Sequence, residues 1–219
     1  MLTISTITIQ DTHYADGTIE NRKHYSNGVL HRLDGPAEES FYENGNIKYR
    51  AWYDTNRLHR DDGPAEERYR PDGTKSFCTW FRHGEQYRDD GAASVEFYQS
   101  GEVRAYMWYR NNRPCLHEEF YEDGALLSRT RYHRGEIHCA KGPAIETFYE
   151  NGKIQSREWY RYGKEHRIDG PAEKFYYDDG SLEYFAYYLR GEELSQSEHA
   201  YQVSLIKAAK VAKKAKQNN

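Results

Sequence analysis

The stretch HRLDGPAEESFYENG, His31 to Gly45, returns 28 residues later as HRDDGPAEERYRPDG, His59 to Gly73. A catalytic site needs its special residues once, whereas a long regular surface needs them at every period, so the near-repetition argues for a repeat architecture. Working outward, turn glycines fall at Gly17, Gly45, Gly73, Gly101, Gly124, Gly152 and Gly180, at intervals of 28, 28, 28, 23, 28 and 28 residues. Seven copies account for residues 1–194, and a different pattern occupies residues 195–219.

Each copy reads as a β-hairpin followed by two further breaks. Asp16, Asn44, Asp72, Ser100, Asp123, Asn151 and Asp179 precede the turn glycines, and Asn-Gly or Asp-Gly pairs supply the positive φ of a hairpin turn. Eleven residues past each turn glycine stands Gly28, Asn56, Gly84, Asn112, Gly135, Gly163 or Gly191, the residue types most tolerant of a left-handed backbone, which marks a second turn. The third break is the Gly-Pro or Gly-Ala step at Gly35, Gly63, Gly91, Gly142 and Gly170. Between breaks the residues alternate as strands do. Ala37, Ala65, Ala93, Ala144 and Ala172 share a face with Phe41, Tyr69, Phe97, Phe148 and Tyr176. Trp52, Trp80, Trp108 and Trp159 recur at one register, which predicts a stacked aromatic ladder. If buried in it, Trp80→Ala costs about 3 to 5 kcal/mol.

YENGNIKYRAWYDTNRLH and YENGKIQSREWYRYGKEH resemble MORN-type repeats, in the variant with a tyrosine-rich strand and an Asn-Gly turn. The usual unit of that family is about 23 residues, the length from Gly101 to Gly124; the other copies carry five more, a version of RxDGP. This HRxDGPA form resembles repeats of phage, large DNA virus and bacterial proteins, including an antitoxin-like (YwqK-like) group. The resemblance implies an elongated all-β array of about seven hairpin repeats, a β-solenoid of binding-scaffold type. It also implies a non-enzymatic role in binding a protein, such as a phage or bacterial accessory protein that inhibits a host defence or toxin component.

The composition is 37% hydrophobic, 30% charged and 15% aromatic, with 21 tyrosines, which suits a thin sheet covered by amphipathic rings better than a thick core. No segment approaches the roughly 18 apolar residues of a spanning helix, and the N-terminus shows no signal-peptide pattern. The expected compartment is the cytoplasm, the host's if the protein is phage-encoded. Cys78, Cys115 and Cys139 form no CxxC pair and are expected as free thiols.

His31, His59, His138 and His166 hold one repeat position, taken by Tyr87 and Cys115 in copies three and four. A hydrolase or metal site built on this row is one alternative, but neighbouring strands are already about 4.8 Å apart, beyond a shared metal's reach of about 2 Å. The expectation is a structural role closing each turn, with no metal and no cofactor. Arg32 with Asp34, Arg60 with Asp62, Arg88 with Asp90 and Arg167 with Asp169 are expected to lock the Gly-Pro turn. Carboxylate pairs such as Glu38 and Glu39 or Glu66 and Glu67 recur too generically for a glycosidase site and read as a solvated edge.

The pattern breaks in RNNRPCLHEEF, where the five-residue insert is lost, and in RGEIHCAKG, where Cys139-x-Lys141 replaces Arg-x-Asp. Two neighbouring irregularities are expected to bend the array and to mark its partner site, at Asn111, Asn112, Arg113, His117, His133 and Arg134. In the tail, Ser195 and Glu198 make a capping box, and Tyr201, Leu205, Ala208 and Ala212 follow helical spacing. That helix is expected to cap the last strand. Its five lysines and one glutamate give +4 against −8 for residues 1–194, which sum to the chain's −4. Lys207, Lys210, Lys213 and Lys214 raise the second alternative, a membrane-peripheral scaffold on anionic lipid. Nucleic acid is not expected. A homodimer is, through the unpaired edge of the N-terminal TISTITI.

Overall fold

The computed structural model describes residues 6–217, so the first three residues of TISTITI lie outside the described part. It contains two compact units, residues 1–124 and 125–219. In the first unit, copy one is β1 (Ile7–His13), β2 (Ile19–Ser26) and the short β3 (Val29–Leu30). Copy two is β4 (Glu38–Phe41), β5 (Ile47–Ala51) and a two-residue ribbon of β6 (Tyr53–Asp54) with β7 (Arg57–Leu58). Copy three repeats this as β8 (Glu66–Tyr69), β9 (Lys75–Thr79), β10 (Phe81–Arg82) and β11 (Glu85–Gln86). Copy four opens with β12 (Ser94–Phe97) and β13 (Val103–Arg110), which pairs with β14 (Arg113–Phe120). Where the insert is lost, ribbon and strand have merged into one eight-residue hairpin.

The second unit holds β15 (Leu126–His133) with β16 (Glu136–Ile137), then β17 (Ile145–Phe148), β18 (Ile154–Glu158), β19 (Tyr160–Arg161) and β20 (Lys164–Glu165). Copy seven is β21 (Glu173–Tyr176), β22 (Leu182–Leu189) and β23 (Glu192–Leu194), followed by α1 (Gln196–Gln217). In each unit the long strands form an antiparallel meander of hairpins, β2–β4–β5–β8–β9–β12–β13 in the first and β15–β17–β18–β21–β22 in the second. This corrects the solenoid expectation: the chain folds back at both turns of each copy, and successive long strands pair antiparallel in one meander instead of coiling.

Both kinds of turn follow from the local sequence. In the first, Gly45 at φ +82° donates its N–H to the Tyr42 carbonyl while the Asn46 N–H donates to the Asn44 side chain at 3.0 Å, a three-residue loop that shifts the register by one beside Phe41. The second is a two-residue turn with both residues left-handed, as at Thr55 (φ +51°) and Asn56 (φ +62°) or Tyr162 (φ +50°) and Gly163 (φ +74°). Thr and Tyr are poor residues for that conformation, so contacts from the next-door copy must hold these turns.

The interior is made of small side chains. Ala37, Ala51, Ala65, Ala144 and Ala172 are fully buried, and the largest fully buried side chains are Thr79 and Ser156. Alanine stands where these copies zip together: the Ala65 N–H donates to the Thr79 carbonyl, and the Ala65 carbonyl accepts from the Trp52 N–H. The four tryptophans are half-buried, so the full burial on which the larger cost of Trp80→Ala depends is not met. The rings form a cover over an alanine seam.

Candidate functional site

The recurring polar residues assemble into a clasp. The Arg60 guanidinium lies 4.1 Å from the centre of the Trp52 ring, donates from Nε to Asp62 at 2.7 Å and points Nη1 at the Pro64 carbonyl at 3.4 Å. Its other face rests on Gly63, where an added Cβ would meet Arg60 Cζ at 3.0 Å. Arg88 repeats this with Trp80, Asp90 and Ala92, and Arg167 with Trp159, Asp169 and Pro171. In copy one His24 stands in for the tryptophan, 3.2 Å from Arg32 Nη1. The hydrogen bond from the guanidinium holds the Asp34, Asp62 and Asp169 carboxyls below their ordinary range. Glycine is thus needed in the DGP step for the space above it, and the arginine is a spacer between ring and loop.

Copy five solves the same problem in reverse. Arg131 occupies the tryptophan position and Cys139 the arginine position, and Arg131 Nη1 donates to the Pro143 carbonyl at 3.0 Å and to Glu146 at 2.8 Å. With no guanidinium above it, Gly142 has open space.

The histidines tie one second turn to the next. His59 Nδ1 accepts the His83 N–H at 3.4 Å, His138 the Tyr162 N–H at 3.2 Å and His166 the Arg190 N–H at 3.2 Å, while His31 faces the Asp54 carboxylate at 3.3 Å. Burial, with nearby cations, pushes the His138 and His166 imidazoles below their ordinary pKa. A neutral ring is what an accepting Nδ1 requires. The neighbouring glycine completes the tie, as where the Gly163 N–H donates to the Ile137 carbonyl and the Gly191 N–H to the Glu165 carbonyl. Among the described residues, no three His, Cys, Asp or Glu side chains converge on a metal-sized site. The thiols are free, and burial pushes Cys78 up to about 11.

Sequence reading missed a hydroxyl row one residue past the strand aromatics. Tyr14 Oη donates to the Phe41 carbonyl, Tyr42 to Tyr69, Tyr98 to Phe120 and Tyr149 to Tyr176, at 2.7 to 2.8 Å, each reaching into the next copy. Arg70 does the same work in copy three, donating to the Phe97 and Tyr98 carbonyls. The signal was available, since that position is tyrosine in every copy but one. Also unforeseen is the facing pair Glu158 and Glu173, whose carboxyls burial raises above the ordinary range.

The residues expected to bind a partner divide between the units. In the first, Asn111 and Arg113 are exposed at the β13–β14 turn, whereas Asn112 is part of the frame, its Oδ1 accepting the Gln86 N–H at 3.1 Å. His117 is half-buried in β14 opposite Met107. In the second, Arg134 is exposed at φ +56°, and the exposed His133 lies with its ring centre 5.4 Å from that of His138 and 6.2 Å from that of Tyr162.

At the end of the second unit, the capping box forms: Ser195 N–H donates to Glu198 Oε2 at 2.9 Å and Glu198 N–H to Ser195 Oγ at 3.3 Å. His199 is buried against the Tyr187 ring and its Nε2 lies 2.7 Å from the Arg167 carbonyl. Of α1 only His199 and Val203 are buried, so the helix covers the Tyr187 end of β22 and leaves Leu182, Tyr184 and Phe185 nearly half exposed. Beside the helix, Arg161, Lys164, Arg190 and Lys210 line a groove of about 480 Å³ with Tyr162, Ile168 and Ile206. None of these four cations pairs with a carboxylate among the described residues.

Hairpins stacked through a clasp, a histidine tie and a hydroxyl row define a β-repeat scaffold. The MORN repeat variant family matches residues 37–55 and 145–160, one hairpin in each unit, which supports MORN-type repeats in this chain. No curated protein matches the chain.

Proposed function

We propose that the protein is a non-enzymatic scaffold that binds a protein partner. One observation carries this reading: the side chains that recur with catalytic chemistry, His59, His138 and His166 and the Arg–Asp pairs, each hold a backbone or ring of the frame. What stays uncommitted is surface, namely Asn111 and Arg113 in the first unit, and Arg134 with the cationic groove in the second. Inhibition of a host defence or toxin component, implied by the HRxDGPA resemblance, is one use of such a surface.

Affinity capture from the native cell, followed by reconstitution with the purified partner, tests the reading. Alanine at Arg113 and Arg134, with glycine at Asn111 because its φ is +51°, is expected to weaken capture while leaving the melt unchanged, because exposed substitutions of this kind stay within about 0.5 kcal/mol. Salt-sensitive sedimentation with anionic vesicles, lost when residues 207–219 are removed, and no protein partner would replace this reading with a lipid-surface scaffold.

A further inference from the structure

Five junctions between copies share one register. Residues four, five and six after a turn glycine face residues five, six and seven before the next: Asn21, Arg22 and Lys23 face Ser40, Glu39 and Glu38, and Ser156, Arg157 and Glu158 face Phe175, Lys174 and Glu173. The three other junctions, β5 with β8, β9 with β12 and β15 with β17, obey the same offsets. The last copy has the first half of this junction, and no strand among the described residues completes it. Tyr184, Phe185 and Ala186 of β22 pair with β21 on one side only among the described residues. Leu182, Tyr184 and Phe185 are 46 to 47% exposed there, and Tyr177, which continues the hydroxyl row, is 51% exposed.

The first copy has the complementary half. Strand β1 pairs with β2 alone among the described residues, and Ile7 and Ile9 on it are 74% and 54% exposed. In the last copy α1 occupies the Tyr187 end, where the Gly-Pro loop of a following copy would pack. An open strand edge carrying aromatic side chains is a template for another strand.

We propose that the protein self-associates head to tail, β22 of one copy of the chain accepting β1 of another in the register of the internal junctions. Tyr184 then faces Thr12, Phe185 faces Asp11 and Ala186 faces Gln10, and the Tyr177 hydroxyl donates to the His13 carbonyl. Because the two surfaces differ, the contact is heterologous and can propagate into short chains.

The test uses the full chain with Cys115 and Cys139 changed to serine. Thr12→Cys and Tyr184→Cys are made as separate variants, each checked for an unchanged circular-dichroism spectrum, then mixed and oxidised. A covalent dimer from the mixture and from neither variant alone is expected, since directly opposed strand residues have Cβ atoms close enough for a disulfide. In sedimentation equilibrium, wild-type mass rises with concentration, and Phe185→Lys weakens the association at least about tenfold, the equivalent of ~1.4 kcal/mol. A wild-type protein that stays monomeric at high concentration overturns the proposal. So does a mixture that yields no heterodimer.

Discussion

Copies three and five bring a cation to the same place by opposite routes. In copy three the arginine follows the second turn, and Arg88 reaches back over the Trp80 ring to the Ala92 carbonyl. In copy five the arginine stands on the strand itself, and Arg131 reaches forward to the Pro143 carbonyl, leaving Cys139 where Arg88 would be. The difference separates what the loop needs from what the repeat usually contains. The loop needs a donor for its carbonyl; tryptophan is needed only when that donor has to be propped up from behind.

The largest effect that breaks this comparison is Trp80→Ala. The partly buried ring supports Arg88, so about 2 to 3 kcal/mol is expected in denaturant unfolding, below the roughly 3 to 5 of a fully buried ring. Next comes Arg131→Trp. Alone it strips the Pro143 carbonyl of its donor, leaves Glu146 with Arg157 at 3.5 Å, and costs about 1 to 3 kcal/mol; combined with Cys139→Arg it rebuilds the copy-three arrangement, and a double-mutant cycle should return most of the loss. A cycle with no coupling would show that the swap is coincidental.

Smaller still is a pair of glycine variants. Gly63→Ala puts a methyl group against Arg60 Cζ and should cost about 1 kcal/mol through overpacking, whereas Gly142→Ala, with open space above it, should stay within about 0.5 kcal/mol. Equal melting temperatures for the two would remove the guanidinium as the reason for glycine.

The smallest effect is one of pH. The His138 and His166 pKa values are lowered on folding from the ordinary 6.5, mainly by burial. The unfolded chain therefore takes up protons first, and the stability these rings contribute is present above about pH 6.5 and lost as the pH falls through their lower folded values. Proton addition also removes the Nδ1 lone pair that accepts the next turn's N–H. Replacing both with glutamine should flatten the melting temperature between pH 7 and pH 5; an unchanged slope would place the acid sensitivity elsewhere.

Much of the frame was legible because turns are local. Gly45, Asn56 and Pro36 act through their own φ angles and missing donors, so their spacing located both turns and the loop without knowledge of any partner. The Arg–Asp half of the clasp, two residues apart in sequence, was legible for the same reason. Its other half was not. Arg60 and Trp52 are eight residues apart on opposite sides of a ribbon, and nothing in either residue says that their faces meet. The hydroxyl row was hidden although Tyr14, Tyr42 and Tyr98 recur, since a tyrosine in a strand reads first as an apolar face. The structural role of Asn112, accepting the Gln86 N–H, was hidden because its partner lies 26 positions away.

By itself the sequence determined the period, the two turn types, the loss of the insert in copy four and the start of α1, all of which depend on residue patterns over short stretches. Only the tertiary structure decided that alanine fills the seam while tryptophan covers it, that Arg131 substitutes for a missing arginine eight positions on, and that α1 shields the Tyr187 end of β22 but not its edge. Those outcomes depend on which side chains of different copies come within contact distance, and a repeat spacing specifies that a neighbour exists without specifying which face it presents.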